Sequence, residues 1–153
     1  CRQFYSSGGI LMFLLDTNVI SEMRKIDSGR ADSHVSTWID EQDASDLYVS
    51  VVTLAELDYG IRLKQRRDPN QSLFLRRWFN HSVLPFFEDR IVTIDFQVAM
   101  KYSEINVPNH LPDRDSWIAA TALVHNFVVV TRNTKDFEAS GVALYNPWTF
   151  QDN

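Results

Sequence analysis

Residues 10–15 read ILMFLL, six apolar side chains in succession, and the run stops at Asp16-Thr17-Asn18 before Val19-Ile20 resume it. A strand with one wet face alternates apolar and polar residues. An unbroken run instead suits a strand covered on both faces, as in a parallel sheet flanked by helices. Parallel neighbours need long crossover connections, which are usually helical. The rest of the chain obeys that requirement. Apolar patterning predicts strands near 11–15, 46–52, 90–94, 127–131 and 142–145, and helices near 18–25, 33–41, 53–66, 70–84, 95–105 and 115–126. The expected class is α/β, a mostly parallel central sheet flanked by helices.

The 153 residues fit one domain, and no internal repeat or linker divides residues 12–153. The start, CRQFYSSGGIL, lacks methionine and lacks the charged, apolar and small-residue order of a secretory signal. Met12 stands directly before FLLDTN, so Met12 is the expected natural start and residues 1–11 a leader or an added extension. Cys1 is the only cysteine, which fits a reducing compartment such as the cytoplasm. No apolar run approaches the roughly 20 residues of a membrane helix, so no membrane partner is expected. The net charge of −5 argues against a broadly basic nucleic-acid binder. Arg62, Lys64, Arg66, Arg67, Arg76 and Arg77 nevertheless cluster, so an RNA substrate stays open.

Polar residues converge on one edge. In parallel α/β sheets ligands bind at the carboxyl ends of the strands. Asp16 follows the first expected strand, Glu56 falls in the first turn of the helix after LYVSVV, and Asp115 opens the helix carrying WIAATALVHN. That helix spans about 16 Å at 1.5 Å per residue. The strand FVVVT covers a similar distance at about 3.3 Å per residue. The chain therefore returns Arg132, Asn133 and Asp136 to the neighbourhood of Asp115.

Each acid has a plain structural explanation. Asp16 and Asp115 are good helix N-caps, worth about 1 kcal/mol each, and Thr53-Leu54-Ala55-Glu56 has the spacing of a capping box. Caps alone do not explain why the three should gather at one edge, where clustered carboxylates repel unless protons or a cation neutralise them. Oxygen donors without cysteine suit Mg²⁺ or Mn²⁺ rather than zinc. The four histidines show no ligand spacing, and His125 reads as a helix C-terminal residue. The Arg and Lys run at 62–67 reads as a solvated helix face, and the Trp78-Phe79 and Phe86-Phe87 pairs as core or subunit contacts. No phosphate-binding loop, dinucleotide fingerprint or serine nucleophile elbow is present. An aspartyl-phosphate chemistry at Asp16 lacks a second Asp two residues on and a suitably placed lysine.

The blocks LLDTNVISEM, TLAELDYGI, DSWIAATALVHN and TRNTKDFEASGVALYNPW together resemble the PIN-domain toxins of bacterial toxin–antitoxin pairs, the VapC and FitB-like group. The resemblance runs from Met12 to about Trp148, and the order and spacing of four blocks make it specific. It implies a PIN-like fold and a Mg²⁺- or Mn²⁺-dependent endoribonuclease that hydrolyses RNA phosphodiester bonds. Asp16, Glu56 and Asp115 match the family's core acids. By that pattern Asp16 and Asp115 hold the metal, and Glu56 positions or deprotonates the attacking water, with Glu56 and Asp136 as further ligands through water. Where the family often has a fourth Asp this chain has Asn133, which leaves one ion or two both open. Thr131, Arg132 and Asn133 are the supporting or phosphate-contacting residues. The implied partners are RNA, a second copy in a homodimer, and a cognate antitoxin, a small DNA-binding protein encoded alongside. A catalytically inactive PIN-like module that binds nucleic acid or protein is the alternative.

Overall fold

The computed structural model describes residues 10–149. The expectation of a leader over residues 1–11 falls on residues 1–9 for the most part, outside the described residues. Five strands, β1 (Phe13–Leu15), β2 (Leu47–Ser50), β3 (Ile91–Val92), β4 (Val128–Val130) and β5 (Leu144–Tyr145), form one sheet in the order β3-β2-β1-β4-β5. Every neighbouring pair is parallel. Around it lie α1 (Thr17–Met23), α2 (Ser33–Asp40), α3 (Val51–Arg67), α4 (Pro69–Trp78), α5 (Leu84–Phe86), α6 (Phe96–Ile105) and α7 (Asp113–His125).

β1 is central, and its side chains feed two cores in alternation. Phe13 and Leu15 pack with Trp38, Leu57 and Phe79 on one face. Leu14 packs with Ile118, Ala119 and Ala122 on the other. Both faces are dry, and this is why the run contains no polar residue. Burying such a side chain contributes about 1.5–3 kcal/mol. A polar substitution anywhere in Phe13–Leu15 therefore loses at least that much. α7 sits close against the sheet because its inner residues Ala119, Ala120 and Ala122 are small and fully buried.

Two helices depart from expectation. The helix expected over 53–66 begins at Val51, with Ser50 capping Val52 N–H at 3.1 Å. Thr53 lies inside it, fully buried, and its hydroxyl has no partner among the described residues. The capping box is therefore not formed. Serine and threonine both cap well, and the shorter connection from β2 won. The helix expected over 70–84 is interrupted by a π-type turn at Phe79–Val83, where Leu84 N–H bonds to the carbonyl of Phe79. Pro85 is the physical reason: its ring lacks an N–H and crowds the preceding turn, and a widened turn relieves that crowding. Phe79 and Phe87 are core residues, while Trp78 and Phe86 are partly buried against that core.

Candidate active site

The strand order reverses its direction of growth between β1 and β4, and in open parallel sheets the crevice at that switch point is where ligands bind. Asp16 leaves β1 there, and Thr131 leaves β4 beside it. Asp16 is nearly buried. Its backbone N–H continues the ladder to Val130 O at 3.0 Å. Its carboxylate accepts from Thr17 N–H at 2.7 Å, from the Thr131 hydroxyl at 2.8 Å and from the Asn18 amide at 3.4 Å. It occupies the N-cap position of α1 yet holds only the first amide. A second bond, from Thr131, comes from the β4 side of the switch point.

Thr131 is fully buried. Its oxygen also accepts from Asn133 N–H at 3.0 Å and from Asn18 Nδ2 at 3.3 Å. Arg132 N–H donates to Asn18 Oδ1 at 3.2 Å, so Asn18 ties the two strand ends together. Of the two roles expected for Thr131, this geometry supports the structural one. The Arg132 and Asn133 side chains are exposed, and Arg132 lies 5.3 Å over the Trp148 ring.

Glu56 stands in the second turn of α3, not the first, because the helix starts at Val51. Its side chain turns to the site instead of to a cap. Glu56 Oε2 accepts from the Thr17 hydroxyl at 2.7 Å, and Oε1 pairs with Arg114 at 2.5 Å. Asp115 is in the first turn of α7 but does not cap it; Pro112 holds that position. The helix start is fixed by the buried Ser116 hydroxyl, 3.0 Å from both Asn106 Oδ1 and the Pro112 carbonyl. Burial, followed by the carboxylates of Asp16, Asp136 and Glu56, pushes the Asp115 carboxyl up to about 6. Burial also raises Asp16, against the lowering effect of its hydrogen bonds from Thr131 and Thr17.

The four acids thus share one field, with Asp136 exposed at its margin. Among the described residues no three His, Cys, Asp or Glu side chains close into a ready-made metal cage. Asp16 and Asp115, with Glu56 drawn toward Arg114, form an open oxygen edge. Such an edge fits Mg²⁺, which keeps several of its waters and takes one or two carboxylates. Arg114 was not legible as a site residue: an arginine in the first turn of an amphipathic helix carries no periodic signal. Thr17 and Asn18 stood in the polar triplet at the strand end, which was their only signal. In the basic stretch of α3 and α4, Arg62 and Arg76 are both bound to Asp58, at 2.7 and 2.6 Å. His125 lies in the last turn of α7, stacked on Phe127, while the cap itself is Asn126 in the left-handed conformation.

The PIN domain profile matches residues 13–141, which takes in all four acids. The chain belongs to the PIN domain family. As a PIN domain it is 37% identical over 142 residues to the VapC ribonuclease Y4jK of Sinorhizobium fredii, covering 90% of this chain and 98% of that protein. It is 38% identical over 142 residues to the toxin FitB of Neisseria gonorrhoeae, with 90% and 99% covered. The crystal structure of FitAcB from Neisseria gonorrhoeae superposes with a TM-score of 0.82 at 36% identity, covering 91% of this PIN domain and all of that chain.

Proposed function

We propose that this PIN domain is the toxin of a toxin–antitoxin pair and acts as a metal-dependent endoribonuclease. One observation carries the reading: Asp16, Asp136 and Glu56 gather around the half-buried Asp115 beside the switch point of the sheet, and burial first, then these carboxylates, raises its carboxyl to about 6. Repulsion of this kind is relieved by a proton or a cation, and oxygen donors suit Mg²⁺, with Mn²⁺ able to substitute. The similarity to proteins named a VapC ribonuclease and a toxin supports the same conclusion.

Asp16 and Asp115 are the residues that would hold the ion. When bound, it would offset charge on the scissile phosphate and lower the pKa of the attacking water. The chain's own residues supply the rest. Thr131 and Thr17 N–H fix the Asp16 carboxylate, Thr17 orients Glu56, and Glu56 is the base for the water proton. Asp136 would help hold the ion through a water, and Arg132 and Asn133 are exposed where they would meet phosphate oxygens. The setting is cytoplasmic, and the antitoxin is a small DNA-binding protein that blocks the acid edge. The homodimer covers the apolar face around α6, where Phe96 is 71% exposed, Val107 76% and Met100 49%.

The Arg114–Glu56 pair favours a second reading, a non-catalytic binding module whose acids are already neutralised in part. The decisive experiment is incubation of labelled RNA with the purified protein in Mg²⁺, Mn²⁺ or EDTA, alongside thermal melts in the same buffers. The nuclease reading expects metal-dependent cleavage with 5′-phosphate ends and a melting temperature raised by the ion through mass action. Intact RNA together with no metal-dependent shift establishes the module instead.

A further inference from the structure

Two adjoining depressions lead away from the acid cluster across α1 and α4. The first, about 410 Å³, is lined by Glu56 and Arg114 at one end and by Arg24 and Trp78 at the other. The second, about 830 Å³, shares Arg24 and Trp78 and continues past Arg30, Phe74, Arg77 and His81. The shared pair makes one continuous trough that opens onto Glu56.

The chemistry of this trough is unlike that of the chain as a whole, which carries a net charge of −5. Asp27 is the only acid lining its larger part. Lys25 there is paired with Glu22 at 2.7 Å. Among the described residues no carboxylate lies within ion-pair distance of Arg24, Arg30 or Arg77. Aromatic rings alternate with these cations. The Arg24 guanidinium lies 5.7 Å over the Trp78 ring. Phe74 is 61% exposed, and Tyr59, lining the smaller part, is 58% exposed. A purely acidic peptide would use the cations and leave the exposed rings unused. A single strand of nucleic acid uses both, phosphates against guanidinium groups and bases against rings.

We propose that this trough binds the single-stranded RNA flanking the cleavage site. Phosphates lie against Arg24, Arg30 and Arg77, and bases stack on Tyr59 and Phe74. The inference rests on the ribonuclease reading, since the strand enters the trough from the acid edge. It identifies the substrate as unpaired over several nucleotides on that side of the cut.

The test uses a fluorescent single-stranded oligoribonucleotide of mixed sequence, with a fluorescent polyglutamate peptide as the second probe. Binding is followed by anisotropy in EDTA across a salt series, and cleavage in Mg²⁺ gives kcat and KM. Arg77→Glu and Phe74→Ala are compared with Arg67→Glu, an equal charge change at the exposed end of α3 outside the trough. Loss of a stacked base is expected to weaken binding about tenfold in Phe74→Ala. Arg77→Glu is expected to weaken it by at least as much and to flatten the salt slope by about 0.7 per lost phosphate contact. In both variants the change falls on KM and not on kcat, while Arg67→Glu stays near wild type. The proposal is overturned if Arg67→Glu matches Arg77→Glu, because net charge alone then explains the loss. It is overturned equally if both trough variants keep the wild-type KM, or if they keep RNA and lose only a polyglutamate peptide. RNA held in the trough but left uncut in Mg²⁺ would retain the trough and remove the nuclease reading. Cleavage with unchanged KM in the trough variants would do the reverse.

Discussion

The Thr131 hydroxyl donates to Asp16 Oδ2 at 2.8 Å across 115 residues of chain, with both side chains buried. It is the one donor from the β4 side to a carboxylate emerging from the central strand, beside Thr17 N–H and the Asn18 amide from α1. A buried acceptor that loses its partner costs about 1–3 kcal/mol, and more when it is charged. The pair therefore joins the stability of the sheet to the aim of the site.

Thr131→Val keeps the shape and removes that donor. A fall in stability of about 1–3 kcal/mol is expected from denaturant unfolding. RNA cleavage should drop by about tenfold, because the Asp16 carboxylate is no longer held in one orientation. Thr131→Ser should restore most of both. Cleavage at the wild-type rate in the valine variant would show that the hydroxyl serves the fold alone.

Asp115 and Asp113 share the first turn of α7, so both favour the helix dipole, by about 0.3–1 kcal/mol each. Asp113 accepts from the Tyr102 hydroxyl at 2.5 Å, away from the acid cluster. Asp113→Asn should thus lower the melting temperature slightly and leave cleavage intact. Asp115→Asn removes a charge that Asp16, Asp136 and Glu56 repel. It should melt at or above the wild-type temperature at neutral pH and lose about a hundredfold or more of cleavage, the scale of a strong electrostatic group in an active site. Matched activity in the two variants would remove Asp115 from the active site.

The raised carboxyl of Asp115 makes metal-free stability depend on pH in a set direction. The native state holds this proton more tightly than the unfolded chain does. Its contribution is complete below the unfolded value of 3.8 and is lost as pH rises through about 6. In EDTA, the melting-temperature difference between wild type and Asp115→Asn should therefore move against the wild type between pH 4.5 and 7, an interval of about one window of titration. Added Mn²⁺ should reduce the difference at pH 7. A difference that stays flat over this range would mean that the acids do not repel in solution.

The exposed apolar side chains of α6 give the homodimer a definite test. Phe96→Asp places a charge where the ring is 71% exposed in the single chain, so the monomer should fold with little change. Light scattering after gel filtration should then report a monomer in place of a dimer. A variant that remains dimeric locates the interface elsewhere.

Much of the site was legible because it depends on long-range topology that simple patterning reveals. The apolar run before Asp16 demands a two-faced strand, and the lengths of α7 and β4 return Arg132, Asn133 and Asp136 toward Asp115; the Thr131–Asp16 bond carries no signal in the pattern. The turn of α3 that carries Glu56 was not legible. Ser50 and Thr53 are equally good caps by chemistry, and only the packing of β2 against α3 decides between them. Arg114 was invisible, since its partner lies on another helix. The π-type turn at Phe79–Val83 had a signal in Pro85, but a proline at the end of an amphipathic stretch reads equally well as a simple stop.

The sheet order carries a consequence for how the protein is made. β1 lies between β2 and β4, so half of its hydrogen-bonding edge stays open until the chain beyond Val128 has been synthesised. Thr131 and Asp136 arrive later still, after Asp16, Glu56 and Asp115. A nascent chain therefore carries its early acids unassembled until those residues have been added. The acid edge can come together only once β4 has joined the sheet, so a chain cut short before Val128 would leave Asp16 without its buried donor and the acids without a common frame.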